Sequence, residues 1–481
     1  MSKFNSKSAT IKTVNKDGHA AYSMPDKEKL VTQVLTSFFN ESKFYGDNSD
    51  DMLETIRRVA QTSPEFIAKL AAFARQEFNM RSVAHVLTAC LANEKHGKPY
   101  VRNSVWRVCQ RGDDLTEIMS FYLATFGKPI PNALKRGIND VLGRMDEYSL
   151  AKYKGTSNGV KMRDLLCLCH PKPRNDAQSD LWKRLLENRL ETPMTWETQL
   201  SANGNNRETW EALIDSGKVG YMALLRNVRN IIQANPRNIE KVWQTIEDPD
   251  AVRRSRQLPF RFLSAYKAIQ GIGGSRALDA LEHAVSESVL NMPVMRGTTV
   301  IAVDVSGSMS SRVSEKSDVT CGEIAMLLGI IANRICENSV FYTFDDKITR
   351  ASIPRSTSIL YATTHIGMNG GATNMELPFK AMQHQNVEAD RIIFLSDNQC
   401  NRGESYWYNK TVQSAADEYR KATGNDLWVH AIDLQGYGTQ QFHGPKTNII
   451  AGWSEKVFTF IKLAESGVGS LEKTIENYDI L

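Results

Sequence analysis

The chain has 481 residues, with 59 Lys and Arg against 54 Asp and Glu, a formal charge of +5. At about 100–200 residues per domain this length suggests two or three domains. A 41% hydrophobic and 23% charged composition is ordinarily globular and excludes disordered, collagenous and low-complexity classes. The near-neutral sum hides a division, because residues 1–296 hold 43 basic and 33 acidic side chains, and residues 297–481 hold 16 and 21. Halves of opposite sign point to two kinds of partner. The longest apolar run, Ile324 to Ala332, has nine residues, far short of the roughly 20 a membrane span needs. The polar start (Ser2, Lys3, Asn5, Lys7) has no apolar signal region, so a cytoplasmic protein is expected. Seven cysteines without zinc-knuckle or redox spacing read as reduced thiols, with Cys167 and Cys169 on different faces of a helix.

Residues 1–25 are polar, contain Gly18 and Pro25, and read as a flexible arm. From residue 26 to 295 the signal is helical. Phe66, Leu70, Phe73 and Ala74 share a face, as do Val86, Cys90 and Leu91, and Leu224, Leu225, Val228, Ile231 and Ile232 recur at helical spacing. Ser63-Pro64-Glu65 and Pro131-Asn132 are helix starts. Stacked helix pairs bury so many amphipathic faces, so an α solenoid of degenerate HEAT-like repeats is expected. At Met295 the character changes. Strands at Thr299–Val303, Ser339–Phe344, Arg391–Leu395 and Leu427–Ile432 alternate with helices near Cys321–Arg334, Leu377–His384 and Val412–Lys421. Residues 296–481 therefore read as a doubly wound α/β domain with a parallel sheet.

In such a sheet, sites form beyond the carboxyl ends of the strands. Asp304-Val305-Ser306-Gly307-Ser308 follows the first strand, Ser396-Asp397 follows the strand at 391–395, and Gly370-Gly371-Ala372-Thr373 is a glycine turn. Asp304, Ser306, Ser308, Thr373 and Asp397 are hard oxygen donors, suited to a divalent cation, Mg²⁺ first. Two carboxylates balance its charge and leave a position that a partner's carboxylate could fill. Asp-x-Ser-x-Ser alone is a common polar turn; the strand before it and the two further loops in order make it specific. Catalytic motifs are missing: there is no G-x-S-x-G elbow at Ser306, no phosphate loop and no H-E-x-x-H, and Gly271-x-Gly273 follows a helix and reads as an interhelix turn. No enzymatic activity is expected.

The basic half concentrates its charge. Lys152, Lys154, Lys161, Arg163, His170, Lys172 and Arg174 form one group; Arg226, Arg229 and Arg237 a second; Arg253, Arg254, Arg256 and Arg261 a third. Such surfaces track phosphates, and Tyr153, Trp210 and Tyr221 could stack on unpaired bases. Any one of these cations could equally be a solvated helix face, and Asn227 and Asn230 could be buried hydrogen-bonding groups.

The three oxygen-donor loops, in this order, resemble the metal-ion-dependent adhesion site of von Willebrand factor A domains. Arg163–Pro173, Trp210–Ile214, Tyr221–Ile231, Asp304–Met309 and Gly370–Thr373 together resemble the TROVE family, that of the Ro autoantigen and its bacterial and phage relatives. The resemblance implies helical repeats closed into a monomeric ring that takes single-stranded 3′ ends of misfolded RNA, with Y-like RNA held outside near Lys152 and His170. It also implies direct metal ligation by Ser306, Ser308 and Thr373, with Asp304 and Asp397 often acting through water. The segment 154–158 is less basic than the family pattern, and Gln399 stands where relatives often carry Glu. The leading reading is a noncoding-RNA scaffold for quality control or storage, with an acidic protein partner such as an RNA-processing nuclease at the metal. The alternative is a protein-interaction scaffold that uses metal-dependent adhesion without RNA.

Overall fold

In the computed structural model the described residues are 12–36, 49–153, 159–290, 292–313, 317–367, 369–408, 410–452, 456–467 and 471–480. The chain divides into two compact units, one of residues 26–194 and 471–481, the other of residues 1–25 and 195–470. The helical half is thus shared between them. No helix among the described residues is long and apolar enough to cross a membrane.

The unit of residues 26–194 is helical. Helix Pro64–Glu77 opens on a proline, whose fixed φ and missing N–H suit a first turn, and it buries Phe66, Leu70, Phe73 and Ala74. Helices Ser82–Asn93 and Lys98–Val108 both pack on it, and Asn132–Leu142 packs in turn on Lys98–Val108. From Pro64–Glu77 onward each helix of this unit meets its second neighbour along the chain, which is how a solenoid shares one core among stacked repeats. A charged node is sunk in that core. Asp114, fully buried, accepts from Arg81 at 2.6 Å, from His85 at 3.1 Å and from the N–H groups of Gln110 and Arg111 at 2.9 Å. Burial alone would raise its pKa; His85, Arg81 and Arg75 outweigh that and hold it far below the usual carboxylate range.

In the other unit, residues expected to be a flexible arm form a β-hairpin, β1 (Lys12–Val14) and β2 (Ala20–Ser23). Asn15 closes its turn, its Oδ1 accepting the N–H groups of Asp17 and His19 at 3.0 and 2.8 Å. Polar composition conceals this, because an Asx turn needs only one well-placed asparagine. The sheet then follows as β3 (Met295–Asp304), β4 (Cys336–Phe344), β5 (Ile348–Ala351), β6 (Arg391–Ser396), β7 (Trp428–Asp433) and β9 (Thr447–Ala451), while β8 (Thr439–Gln440) pairs with β2 of the hairpin. Strand order is β5-β4-β3-β6-β7-β9, parallel except for the edge strand β5. Val300, Ala302, Ile392 and Phe394 point to the face covered by Phe379, Met382 and Tyr419. The alternate residues face helix Cys321–Ile335, where Gly329 lies so close that a Cβ would stand 2.8 Å from Val303. Both faces are covered, as a doubly wound sheet requires.

The base of the sheet is pinned by Arg391, whose guanidinium forks onto Glu465 at 2.6 and 3.0 Å and reaches the Arg296 carbonyl and Thr299 Oγ1. His430 is fully buried, and that burial lowers its pKa despite Glu465. The neutral ring then accepts from Asn448 at Nδ1 and donates from Nε2 to Glu465. Glu465 is held down at about 2: its partial burial opposes ionisation, but His430 and Arg391 prevail. Arg391→Ala should cost about 3 kcal/mol in urea unfolding, because it leaves the half-buried Glu465 carboxylate with the His430 N–H in place of a guanidinium fork. A depressed carboxylate stabilises fully above its ordinary pKa of 4.5 and loses that contribution as pH falls toward 2. Glu465→Gln should therefore flatten the fall in stability between about pH 4.5 and 2.

Candidate functional site

Four adjacent parallel strands end in aspartates at one edge of the sheet. Asp345 follows β4, Asp304 closes β3, Asp397 follows β6 and Asp433 closes β7. All four are buried. The loops between them are folded back by their own backbone. Asp304 Oδ1 accepts the Ser306 N–H at 2.9 Å and its Oδ2 accepts the Ser396 hydroxyl at 2.7 Å. That curl turns Ser306 and Ser308 to the same side, with their hydroxyl oxygens 3.3 Å apart. The Gly307 N–H donates to the Gly371 carbonyl at 3.0 Å, and the Gly370 N–H to the Val305 carbonyl at 3.1 Å, which seats the glycine turn on the serine loop. A Cβ on Gly371 would lie 2.7 Å from Asp345 Oδ2 and 2.8 Å from Asp346 Oδ1, so a larger residue would have to push both carboxylates aside. Thr373 is held through its N–H, which donates to Asn401 Oδ1 at 2.8 Å.

The structure thus joins the loops of all five residues singled out in the sequence. Burial pushes the Asp304 carboxyl up to about 7, and the negative charge of Asp397 adds to it. Burial likewise raises Asp397 and lifts Asp433 to about 7. Asp397 Oδ2 and Asp433 Oδ2 are buried with no hydrogen-bond partner. Buried carboxylate oxygens are normally satisfied, and these two keep acceptor capacity that a positive ligand could use. Among the described residues no three carboxylate, imidazole or thiol groups converge on one point, so the serine and threonine hydroxyls are essential to any cation site here. Two carboxylates and three hydroxyls fit a hard, near-octahedral ion such as Mg²⁺. Asp345, Asp433 and Asn401 escape sequence reading, since isolated Asp and Asn carry no pattern; only strand register and the loop after β6 bring them to this edge.

Of the basic residues, Lys152, Lys161, Arg163, His170 and Lys172 are exposed on the unit of residues 26–194. Lys154 lies outside the described residues. Helix Met162–Cys169 sets their geometry: Asp164 accepts the Lys161 N–H at its start, and His170 ends it in a left-handed turn with φ 50°. Tyr153 carries cations nearby, Arg111 at 5.1 Å and Lys152 at 5.7 Å from its ring centre. Arg111 was not among the expected contacts. Arg226, Arg229, Arg253 and Arg254 are exposed on the other unit. Arg253 pairs with Asp250, whereas Arg226, Arg229 and Arg254 form no ion pair among the described residues. One aromatic expectation is corrected: Trp210 is wholly buried with its indole N–H on Asn205 and is no stacking platform, whereas Tyr221 is half-buried and its hydroxyl donates to the Ile246 carbonyl. Asn227 is buried and donates to the Ala223 carbonyl, while Asn230 donates to Asn227. Gly271 and Gly273 form the turn between helices Pro259–Ile269 and Ser275–Val289.

Stacked helices with exposed cations, joined to a doubly wound sheet with oxygen donors at its carboxyl edge, define a helical-repeat protein carrying a von Willebrand factor A-type domain. The family model described as TROVE domain matches residues 26–188 and 183–279, and the Ro60 vWA domain matches residues 298–461. The chain belongs to the TROVE family. It is similar to the RNA-binding protein RO60 of Deinococcus radiodurans, 22% identical over 470 residues, covering 85% of this chain and 86% of that one. It also resembles RNA-binding protein RO60 of Caenorhabditis elegans, 27% identical over 248 residues, covering 48% of this chain and 38% of the relative. Telomerase protein component 1 of Rattus norvegicus is 26% identical over 335 residues, 51% of this chain, but the match spans only 13% of that protein. Among solved structures, the Deinococcus radiodurans RO (RSR) protein superposes with a TM-score of 0.65 at 18% identity, covering 92% of this chain and all of that one. The shared fold is therefore helical repeats followed by the α/β domain.

Like charges crowd the carboxyl edge, so relieving them should stabilise the metal-free protein. In chelator at pH 7.5, Asp397→Asn should unfold at a temperature equal to or above that of wild type, read by differential scanning calorimetry. A clear drop would show that the carboxylate is structural.

Proposed function

We propose that this chain is a non-catalytic RNA-binding scaffold of Ro type, acting in the cytoplasm in noncoding-RNA quality control or storage. The observation that carries the reading is TROVE membership along the helical half, together with exposed cations at Lys152, Lys161, Lys172, Arg226, Arg229 and Arg254 that form no ion pair among the described residues, and the exposed His170. Relatives bearing the printed name RNA-binding protein RO60 support it. Guanidinium and ammonium groups without carboxylate partners are free to displace phosphate counterions, and their affinity must fall with salt. The finer reading is that single-stranded 3′ ends of misfolded RNA and Y-like RNA are the ligands, bound by a monomeric ring.

The carboxyl edge of the sheet is proposed to hold Mg²⁺ through Ser306, Ser308 and Thr373, with Asp304 and Asp397 behind them. The ion would neutralise the carboxylates and offer one open position to an acidic side chain of a protein partner, such as an RNA-processing nuclease. The chain's own residues orient the donors and exclude water from Asp304.

Fluorescence anisotropy with a structured RNA carrying a single-stranded 3′ tail tests the reading. Wild type should bind with strongly salt-dependent affinity, and Arg226→Ala/Arg229→Ala should weaken binding and reduce the salt slope by about 1 per lost phosphate contact. Salt-insensitive or undetectable binding would favour the protein-interaction scaffold.

A further inference from the structure

The amino-terminal hairpin ends at the metal-site loops. Three consecutive turn residues each hold one of three consecutive residues just after Asp397. The Asn15 amide donates to the Cys400 carbonyl at 2.7 Å, the Lys16 N–H donates to Gln399 Oε1 at 3.0 Å, and Asp17 Oδ2 accepts from Asn401 Nδ2 at 3.0 Å. Asn401 faces two ways. Its side-chain oxygen accepts the Thr373 N–H at 2.8 Å, and its own N–H donates to the Thr373 carbonyl at 3.0 Å. The hairpin is anchored further back by β2 pairing with β8, by His19 on Ser405 at 3.1 Å and by Thr411 on the Tyr22 hydroxyl at 3.0 Å. Lys16 Nζ sits 4.8 Å above the ring of Tyr437, on the same rim.

We infer that the hairpin is a working part of the cation site: Asp17 is a positioning residue that, through Asn401, fixes Thr373 for metal ligation. Hairpin docking and metal occupancy are then coupled. The inference rests on the reading that the sheet edge binds Mg²⁺. Its physical basis is that an octahedral ion tolerates little displacement of a ligand. Gly370 and Gly371 lead into Thr373 and give that approach little stiffness of its own, and both main-chain hydrogen-bonding groups of Thr373 are held by the loop that the hairpin grips. Asp17 itself is exposed and contributes nothing to the core, so its replacement leaves the fold intact. Coupling of this kind is reciprocal: whatever factor the docked hairpin adds to metal affinity, bound metal must add to hairpin docking. Because the hairpin precedes the helical half in the chain, it also ties the chain start to the state of the metal site.

The test is Mg²⁺ titration by calorimetry on the full-length protein, paired with hydrogen exchange of the peptide covering residues 12–23. Asp17→Ala should weaken Mg²⁺ by about tenfold, the scale on which outer partners of ligands act. Asp17→Asn keeps the acceptor for Asn401 and should bind within about twofold of wild type, on the same scale. In an Asn401→Ala background, Asp17→Ala should have no further effect, because the relay is already cut. Mg²⁺ should slow exchange of the hairpin amides in wild type and not in Asp17→Ala. If wild type binds Mg²⁺ and Asp17→Ala binds equally well, the positioning role is wrong while the metal reading stands. Equal losses in Asp17→Ala and Asp17→Asn would overturn it in favour of a long-range charge effect. If wild type takes no Mg²⁺ at all, the metal reading fails and this inference fails with it.

Discussion

Four aspartates at the carboxyl edge of one parallel sheet set the constraint on which the α/β domain depends. Parallel strands all end on the same side, so residues that close them are forced together whatever their charge. Burial in a low-dielectric edge makes each carboxylate costly, and two like charges side by side make the pair costlier still. The protein answers locally with backbone N–H groups and the Ser396 hydroxyl, which serve Asp304 fully and Asp397 and Asp433 only on one oxygen. A site kept in this state gives up stability for function, the usual trade at binding centres.

The opposite end of the sheet shows the contrast. There Glu465 has Arg391 and His430, both carboxylate oxygens accept hydrogen bonds, and its pKa is driven down rather than up. One domain thus carries a satisfied charge cluster that holds its strands together and a second whose buried carboxylates are left partly unsatisfied. The helical half repeats the contrast. Asp114 and its basic partners are locked inside the stack, whereas Arg226, Arg229 and Arg254 lie on the surface with no ion pair among the described residues. Which charges are paired, more than how many there are, separates structural from ligand-seeking groups.

Much of this was legible in the sequence, for local reasons. The helix faces of Phe66 to Ala74 and Leu224 to Ile231 follow from a 3.6-residue period, and the strands at β3, β6 and β7 from β-branched runs at expected spacing. The metal loops carry their own signature because Asp304, Ser306 and Ser308 must curl within five residues. What sequence could not show is set by contacts far apart in the chain. Trp210 sits between arginines yet is fully buried, since burial depends on the packing of helices remote from it. Asp433 and Asn401 join the site only through strand register and the β6 loop. The hairpin of residues 12–23 hid in a polar stretch because its stability comes from Gln399, Cys400, Asn401 and β8, nearly 400 residues downstream.

We propose that the exposed cations of the helical half are the RNA surface and that the acidic domain is not. Ultraviolet crosslinking of the full-length protein to RNA in its own cell, with crosslinked peptides identified by mass spectrometry, tests this directly. Crosslinks should fall in the segments 147–174 and 221–256 and spare the strand-end loops around Asp304 and Asp397. Crosslinks concentrated in residues 296–481, or no recovered RNA, would contradict the account.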